Sequence, residues 1–166
     1  MLFKSFPFVA QHDAMDCGPA CLAMMAKAHG KDYSLQYLRD NAYLTREGVS
    51  LTGMCEAAAL IGFNSLAGRI TTDQLIRERN VPCVLYWRGN HFVVLYNIKQ
   101  SFFSKKYLFK IADPSGGYIT VPEHLFKDLW LTKGGDTGVA LFLEPTDEFY
   151  KATPPPEEKY SIKEVL

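Results

Sequence analysis

The chain has 166 residues, of which 48% are hydrophobic and 22% are charged, a composition typical of one globular domain. Eighteen basic and eighteen acidic residues give no net charge. The sequence has no basic cluster of the kind that indicates a nucleic-acid-binding protein. No apolar run is long enough to cross a bilayer. The four cysteines, at 17, 21, 55 and 83, lack the spacing of a compact disulfide framework, which favours a reducing compartment.

The first predicted element is a helix that begins at Cys17. Asp16 is a residue type that caps helices, Gly18 and Pro19 suit a first turn, and apolar residues follow at helical spacing until Gly30 ends the pattern. The first N–H groups of a helix are unpaired and carry partial positive charge, which favours a thiolate over a thiol. The sequence therefore predicts that Cys17 is nucleophilic at neutral pH.

Short helices are predicted to follow in the N-terminal half, where Ser34, Ser50 and Thr72 are suitable first or capping residues. From Val81 onward, β-branched and aromatic runs predict strands separated by turn residues. The predicted strands are Val81 to Trp87, His91 to Ile98, Lys106 to Ala112, Tyr118 to Val121 and Gly138 to Leu143, with a helix at Pro122 to Trp130. Helices followed by antiparallel strands predict an α+β fold.

A change of composition marks the predicted end of the domain. Pro145, the run Pro154 to Pro156 and a series of charged residues are typical of a linker rather than of a core. We therefore expect a domain at 1–145 and a Pro-rich, charged linker at 146–166.

A nucleophilic thiolate needs a histidine partner, and the chain offers four. His12 precedes Cys17 on a loop, and His124 lies in a predicted surface helix. His29 lies about 18 Å from Cys17 along the first helix, which is too far for proton transfer. His91 begins a strongly apolar strand directly after a turn, so its backbone is fixed while its ring lies at the sheet edge. His91 is the predicted base.

The following strand supplies a carboxylate that would orient this base. If residues 91–98 and 106–113 pair so that the loop is centred on residue 102, Asp113 lies opposite His91. Its carboxylate then binds one imidazole nitrogen and leaves the other facing the thiol, as in a catalytic triad. The prediction depends on the register, because a slip of one residue turns one of the two side chains to the other face.

Gln11 completes the predicted site. Acyl transfer requires hydrogen-bond donors for the developing oxyanion, and the Gln11 side-chain amide together with the Cys17 backbone N–H supplies two. Without His91 and Asp113, Cys17 would be predicted to be an inert core residue, because buried cysteine is a common small hydrophobe.

The other cysteines are predicted to pack in the core. Cys21 follows Cys17 by one helical turn, so a resolving thiol and a zinc ligand are alternatives, but the pair lacks the usual zinc-ligand spacing. Cys55 and Cys83 lie in apolar runs. No metal and no cofactor is predicted.

Several separated motifs resemble, in order, the N-terminal cysteine peptidase domain of bacterial peptidase-containing ABC transporters, the family that processes double-glycine leaders. The resemblance extends to about Pro145. The motifs are Gln11, Asp16 to Leu22, His29-Gly30, Ser34-Leu35, Leu38-Arg39, Gly48 to Leu51, Ala57-Ala58 with Gly62-Phe63, His91 to Leu95, and Asp113-Pro114.

This resemblance implies a papain-like fold, with the helical half packed on an antiparallel sheet. It implies that Cys17 is the nucleophile, His91 the base and Asp113 the orienting residue, with Gln11 in the oxyanion hole. The implied reaction is cleavage of the leader of a bacteriocin or signalling peptide after a double-glycine motif, at the cytoplasmic face of the membrane and coupled to export.

The implied partners are the leader peptide and the transmembrane and ATPase domains of a transporter. Since those domains are not among these residues, we expect an excised or separately expressed domain, with a stand-alone protein as the alternative. Two other functions stay open: a module that captures leaders without cutting them, and another papain-like acyl transferase or amidase.

Overall fold

A six-stranded antiparallel sheet forms the centre of the computed structural model, which describes residues 5–42 and 48–157. The strands are β1 (Phe63–Thr71), β2 (Cys83–Trp87), β3 (His91–Gln100), β4 (Tyr107–Asp113), β5 (Gly117–Pro122) and β6 (Thr137–Pro145). Their order across the sheet is β1-β6-β2-β3-β4-β5. The helices are α1 (Cys17–Ala28), α2 (Leu35–Asp40), α3 (Leu51–Leu60), α4 (Thr72–Glu78), α5 (Glu123–Trp130) and α6 (Asp147–Lys151). None of the helices in these ranges is long and apolar enough to cross a membrane.

The predicted helix starts are confirmed by their capping bonds. The Ser34 side chain accepts a hydrogen bond from the first turn of α2, and Ser50 does the same for α3. Thr71 and Gln74 form a reciprocal capping box at the start of α4. Each cap satisfies a backbone N–H that has no partner within its helix.

The strand β1 departs from the prediction, which placed only helices before residue 80. It pairs with β6 over its whole length, from Phe63 opposite Pro145 to Thr71 opposite Thr137. Six of its nine residues are exposed, so it lacks the alternation of apolar and polar residues that indicates a strand. The pairing with β6, which is distant in sequence, decides its conformation.

Two hydrophobic cores lie on opposite faces of the sheet. The first joins α1, α2 and α3 to the sheet and includes Met24, Phe92 and Val94. The second is covered by α4 and α5, where the rings of Phe109 and Phe126 stack with centroids 3.9 Å apart. In α1, eleven of the twelve residues are buried, which fixes this helix against β3.

The packed part of the chain extends beyond the predicted boundary at residue 145. Phe149, in α6, is fully buried. It lies so close to Gly62 that a Cβ there would be 2.4 Å from the Phe149 nitrogen. Residues 152–157 have neither helix nor strand, and residues 158–166 of the predicted linker lie outside the described residues.

Candidate active site

The N-terminus of α1 places Cys17 against the beginning of β3. The side chain is largely buried, with 6% of the residue exposed. Its sulfur interacts with the His91 ring and with the backbone of Phe92. The structure therefore brings together the predicted nucleophile and the predicted base, from the two halves of the chain.

The end of β4 adds the carboxylate to this pair. His91 Nε2 and Asp113 Oδ1 are 2.7 Å apart, which is a strong hydrogen bond between two half-buried groups. Because Nε2 is engaged by Asp113, Nδ1 is the ring nitrogen left for the Cys17 thiol. This is the order of contacts that a thiol, a base and an orienting acid require.

The predicted register that led to Asp113 is wrong by two residues. Val94 pairs with Ala112 and Leu95 with Ile111, and a β-bulge follows before Asn97. Side chains alternate along a strand with a period of two, so a displacement of two residues keeps both groups on one face. His91 consequently reaches Asp113 along a diagonal of the ladder and not directly across it.

Ser115 is a member of the site that sequence analysis missed. Extended to the beginning of β3, the observed register places Ser115 opposite His91. The Ser115 hydroxyl lies 2.8 Å from Asp113 Oδ1 and 3.4 Å from His91 Nε2. Its backbone N–H also donates to Asp113 Oδ1, over 2.9 Å. Ser115 thus helps to fix the carboxylate that faces His91.

These contacts shift the three pKa values in the directions that favour an ion pair. Burial opposes ionisation of Cys17, but the hydrogen bond and the charge of His91, together with backbone hydrogen bonds, outweigh it and lower the pKa of the thiol. Burial also opposes the charge on His91, yet its bonds with Asp113 and Cys17 raise its pKa to about 9. For Asp113, hydrogen bonds from His91 and Ser115 overcome burial and lower the pKa to about 2. The lowered pKa of Cys17 and the raised pKa of His91 both shift this pair toward a thiolate and an imidazolium.

Gln11 lies on the loop that precedes α1, and this loop is bonded to the residue that follows Asp113. The Gln11 backbone N–H donates to Pro114 O over 3.0 Å, next to Asp113. The side-chain oxygen Oε1 is buried and has no hydrogen-bond partner among the described residues. The predicted oxyanion residue is thus held beside Asp113 by its backbone.

Asp16 has a different role from the predicted helix cap. It occupies the N-cap position, but its side chain makes no capping bond. The carboxylate, which is 0% exposed, accepts hydrogen bonds from Arg39 Nε at 2.7 Å and from Arg39 Nη2. It also accepts from the backbone N–H groups of His12 and Asp13, at 3.3 and 3.2 Å. Although burial opposes ionisation, the Arg39 bonds lower the pKa of Asp16.

The remaining cysteines are separate from this site or deep beneath it. Cys21 and Cys83 are fully buried, as predicted for core residues, and Cys55 is half-buried. Burial raises the pKa of Cys83 to about 12 and that of Cys21 well above its ordinary value. Within the described ranges, no group of three or more His, Cys, Asp or Glu side chains has the arrangement of a metal site.

The sequence of this chain matches one protein family and several curated proteins. The model of the peptidase C39 family matches residues 5–148. The colicin V secretion/processing ATP-binding protein CvaB of Escherichia coli is 33% identical over 150 residues, which are 90% of this chain and 20% of that protein. The chain therefore spans about a fifth of the length of the curated relatives it matches.

Two solved structures resemble the fold. A double glycine motif protease from an AMS/PCAT transporter, in complex with the leader peptide, superposes with a TM-score of 0.74 at 28% identity, covering 84% of this chain and 91% of that one. The peptidase domain of Streptococcus ComA, a bi-functional ABC transporter, has a TM-score of 0.70 at 29% identity and covers 86% of this chain and all of that one. These likenesses confirm the predicted α+β, papain-like fold.

Proposed function

Because this chain belongs to the peptidase C39 family, a family of cysteine peptidases, we propose that Cys17 cleaves a leader peptide after a double-glycine motif. The observation that carries the proposal is the contact series from the Cys17 thiol to His91 and from His91 to Asp113. A thiol that contacts a base, with an acid orienting that base, can carry out acyl transfer, and a peptide bond is the acyl donor on which peptidases act.

In the proposed mechanism, the Cys17 thiolate attacks the carbonyl carbon of the second glycine. The tetrahedral intermediate collapses to a thioester on Cys17 as the imidazolium of His91 gives its proton to the departing amine. His91 then removes a proton from water, which attacks the thioester and releases the leader carboxylate. Asp113 keeps the ring oriented and stabilises its charge through both transfers.

The Cys17 backbone N–H and the Gln11 side-chain amide are proposed to stabilise the oxyanion. The first N–H groups of α1 have no acceptor within the helix, so they are available to a ligand. The backbone bond from Gln11 to Pro114 O supports this role, because it holds Gln11 beside Asp113. Loss of the Gln11 donor is expected to reduce kcat about 100- to 1000-fold.

The proposed substrate comes from the names of the relatives. One solved relative is a double glycine motif protease in complex with a leader peptide, and the curated relatives are secretion or transport and processing proteins with ATP-binding in their names. We extend this to a leader of an exported bacteriocin or signalling peptide and to transmembrane and ATPase domains of an ABC transporter as partners. The setting would be the cytoplasmic face of the membrane, with the Pro-rich segment after α6 as linker.

The test is cleavage of a peptide that contains a double-glycine leader and its cargo. Mass spectrometry of the products is expected to show one cut after the second glycine. Cys17→Ala is expected to abolish that cut, whereas Cys55→Ala, which removes a half-buried thiol of α3, is expected to preserve it. Circular dichroism checks that both variants are folded.

The outcomes separate the alternative functions. Binding of the leader without a cut by the unmodified chain would favour a capture module and would contradict the peptidase. Hydrolysis of unrelated amides with no preference for the two glycines would favour another papain-like acyl transferase or amidase. Unchanged kcat/KM after Gly→Ala at the cleavage site would contradict double-glycine specificity.

A further inference from the structure

The loop between β3 and β4 carries the most exposed aromatic side chains among the described residues. Phe102 is 89% exposed and Phe103 is 96% exposed. Their rings lie edge to face, with centroids 5.3 Å apart. Exposed large apolar side chains that adjoin one another indicate a contact surface, whereas single ones are ordinary.

Hydrogen bonds close this loop, so that the two rings are presented by an ordered turn. The Ser101 backbone N–H donates to Lys106 O over 2.7 Å, and the Lys105 N–H donates to Ser101 O over 3.0 Å. The Gln100 side chain adds a bond of 2.9 Å to Lys105 O. A turn that is already ordered loses little conformational entropy when its side chains dock.

Exposed lysines flank the two rings in the sequence. Residues 99–106, which we name the β3–β4 tip, contain three lysines and no acidic residue. Lys99, Lys105 and Lys106 are all exposed. This pattern complements an anionic bilayer, since aromatic rings enter the interface while ammonium groups stay at the lipid phosphates. An apolar groove on a protein would accept the rings without requiring cations on both sides of them.

We propose that the β3–β4 tip docks on the surface of an anionic lipid membrane, with Phe102 and Phe103 inserted and the flanking lysines on the headgroups. The tip lies at the far end of β3 from His91, about 30 Å away at the rise of an extended strand. Docking there leaves the candidate active site open to a peptide. The proposal does not depend on the proposed function.

The test is co-sedimentation of the chain with lipid vesicles. Vesicles that contain phosphatidylglycerol are expected to bind at least about tenfold more tightly than vesicles of phosphatidylcholine alone, and added salt is expected to weaken the binding. The double variant Phe102→Ser, Phe103→Ser and the double variant Lys105→Gln, Lys106→Gln are each expected to lose about tenfold in affinity or more. Leu66→Ser is the matched control, because Leu66 is 70% exposed on β1 and lies outside the tip.

A second measurement reports insertion directly. Tryptophan fluorescence of Phe103→Trp is expected to shift to shorter wavelength when anionic vesicles are added, because the ring leaves water. Equal binding by the unmodified chain and the Phe102→Ser, Phe103→Ser variant would overturn the proposal. So would the absence of binding to both kinds of vesicle, which would point to a protein as the partner of the tip.

Discussion

At the scale of single residues, the buried carboxylate of Asp16 connects three parts of the candidate active site. Asp16 directly precedes Cys17. Its carboxylate accepts hydrogen bonds from the backbone N–H groups of His12 and Asp13, on the loop that carries Gln11. The guanidinium of Arg39, in α2, neutralises its charge. The loop and the start of α1 therefore share one ionic anchor. We infer that this anchor positions Gln11 relative to the nucleophile, while making no contact with the reacting atoms.

Replacement of Arg39 is predicted to leave this carboxylate buried and unpaired. Arg39→Met is expected to lower the free energy of unfolding by about 3 kcal/mol, at the lower end for a buried pair because a quarter of the Arg39 side chain is exposed. Urea denaturation measures this change in the free energy of unfolding. Arg69→Met is the control and is expected to change stability by about 0.5 kcal/mol or less, since Arg69 bonds only the exposed Thr132 hydroxyl among described contacts.

The pH dependence of the unfolding free energy provides a further check on the Asp16–Arg39 ion pair. The pKa of Asp16 is lowered in the folded chain. Its stabilising contribution is therefore present above its ordinary pKa of about 4 and is lost as the pH falls through the lowered value. Equal stability of Arg39→Met and Arg69→Met at neutral pH would contradict the anchor.

The charge of Asp113 is predicted to set both limits of the pH profile. Asp113 and Cys17 together raise the pKa of His91 to about 9, so Asp113→Asn, which removes the contribution of Asp113, is expected to move the alkaline limb of kcat/KM to lower pH. The imidazolium in turn stabilises the thiolate, so the acid limb is expected to move to higher pH. Each limb reports an apparent pKa of the coupled Cys17–His91 pair and not of one residue alone. The maximum is expected to fall about a hundredfold.

Ser115→Ala provides a milder change to compare with Asp113→Asn. Ser115→Ala removes one hydrogen bond to Asp113 but leaves its charge, so its shift of the alkaline limb is expected to be smaller. Rates of alkylation of Cys17 by iodoacetamide over the same pH range report the thiolate independently of substrate binding. An alkaline limb that does not move in Asp113→Asn would be evidence against the role of this carboxylate.

Sequence reasoning identified some residues of the site and missed others for a physical reason. Cys17 and His91 each have a local signal, a cysteine at a helix start and a histidine after a turn. Asp113 followed from strand pairing, and the pairing error of two residues preserved its face. Ser115 and Arg39 have no such local signal, because their contacts depend on the true register and on the packing of α2 against the loop before α1.

At the scale of elements, the error in register and the missing strand have related causes. At the loop end, Gln100 pairs with Tyr107, three residues from the predicted register, and the β-bulge between Leu95 and Asn97 reduces the difference to two beside His91. Counting across the loop cannot reveal a bulge in an apolar run that has no glycine or turn signal. Similarly, β1 is an edge strand whose outer side faces solvent, and only its pairing with β6 defines it. Helix caps and apolar strands could be predicted, because their signals lie within a few neighbouring residues of the sequence.

The helix α6 is predicted to be an integral part of the domain. Phe149 is fully buried beside Gly62 and lies with its ring centroid 4.6 Å from that of Phe63. Phe149→Ala is expected to cost about 3–5 kcal/mol of unfolding free energy, because it leaves a cavity. The neighbouring Tyr150, which is 54% exposed, is the control, and Tyr150→Ala is expected to have a much smaller effect in the same urea titration.

A pair of truncated chains extends this prediction to the domain boundary. A chain that ends at Pro145 loses all of α6 and also the bonds from Lys31 Nζ to the carbonyl oxygens of Tyr150 and Ala152, at 2.9 and 2.8 Å. It is expected to melt at a lower temperature than a chain that ends at Glu157. Equal melting temperatures would place the end of the stable domain at residue 145.

At the scale of the whole molecule, the site lies where one layer meets another. The N-terminus of α1 belongs to the helical layer, whereas His91 and Asp113 belong to the sheet that this layer covers. The reactive geometry therefore exists only while the helices stay packed on β3. This arrangement couples the chemistry of Cys17 to the cooperative folding of both layers.

Three of the four thiols are predicted to report this coupling by their reactivity. In a Cys55→Ala background, iodoacetamide at neutral pH is expected to label Cys17 first, because its pKa is lowered, while Cys21 and Cys83 are buried with raised pKa values. Cys21 lies in the core beneath the helical layer and Cys83 in the core on the opposite face of the sheet. Mass spectrometry after labelling in increasing urea measures each thiol separately.

If both cores unfold together, Cys21 and Cys83 become reactive at the same urea concentration, and the accelerated labelling of Cys17 is lost there as well. Exposure of Cys83 at lower urea than Cys21 would show instead that the face covered by α4 and α5 opens first. In that case, Cys17 would retain its reactivity after Cys83 is labelled, because the contact of α1 with β3 would outlast the second core. The order of labelling therefore distinguishes a site supported by the entire fold from one supported by the helical layer alone.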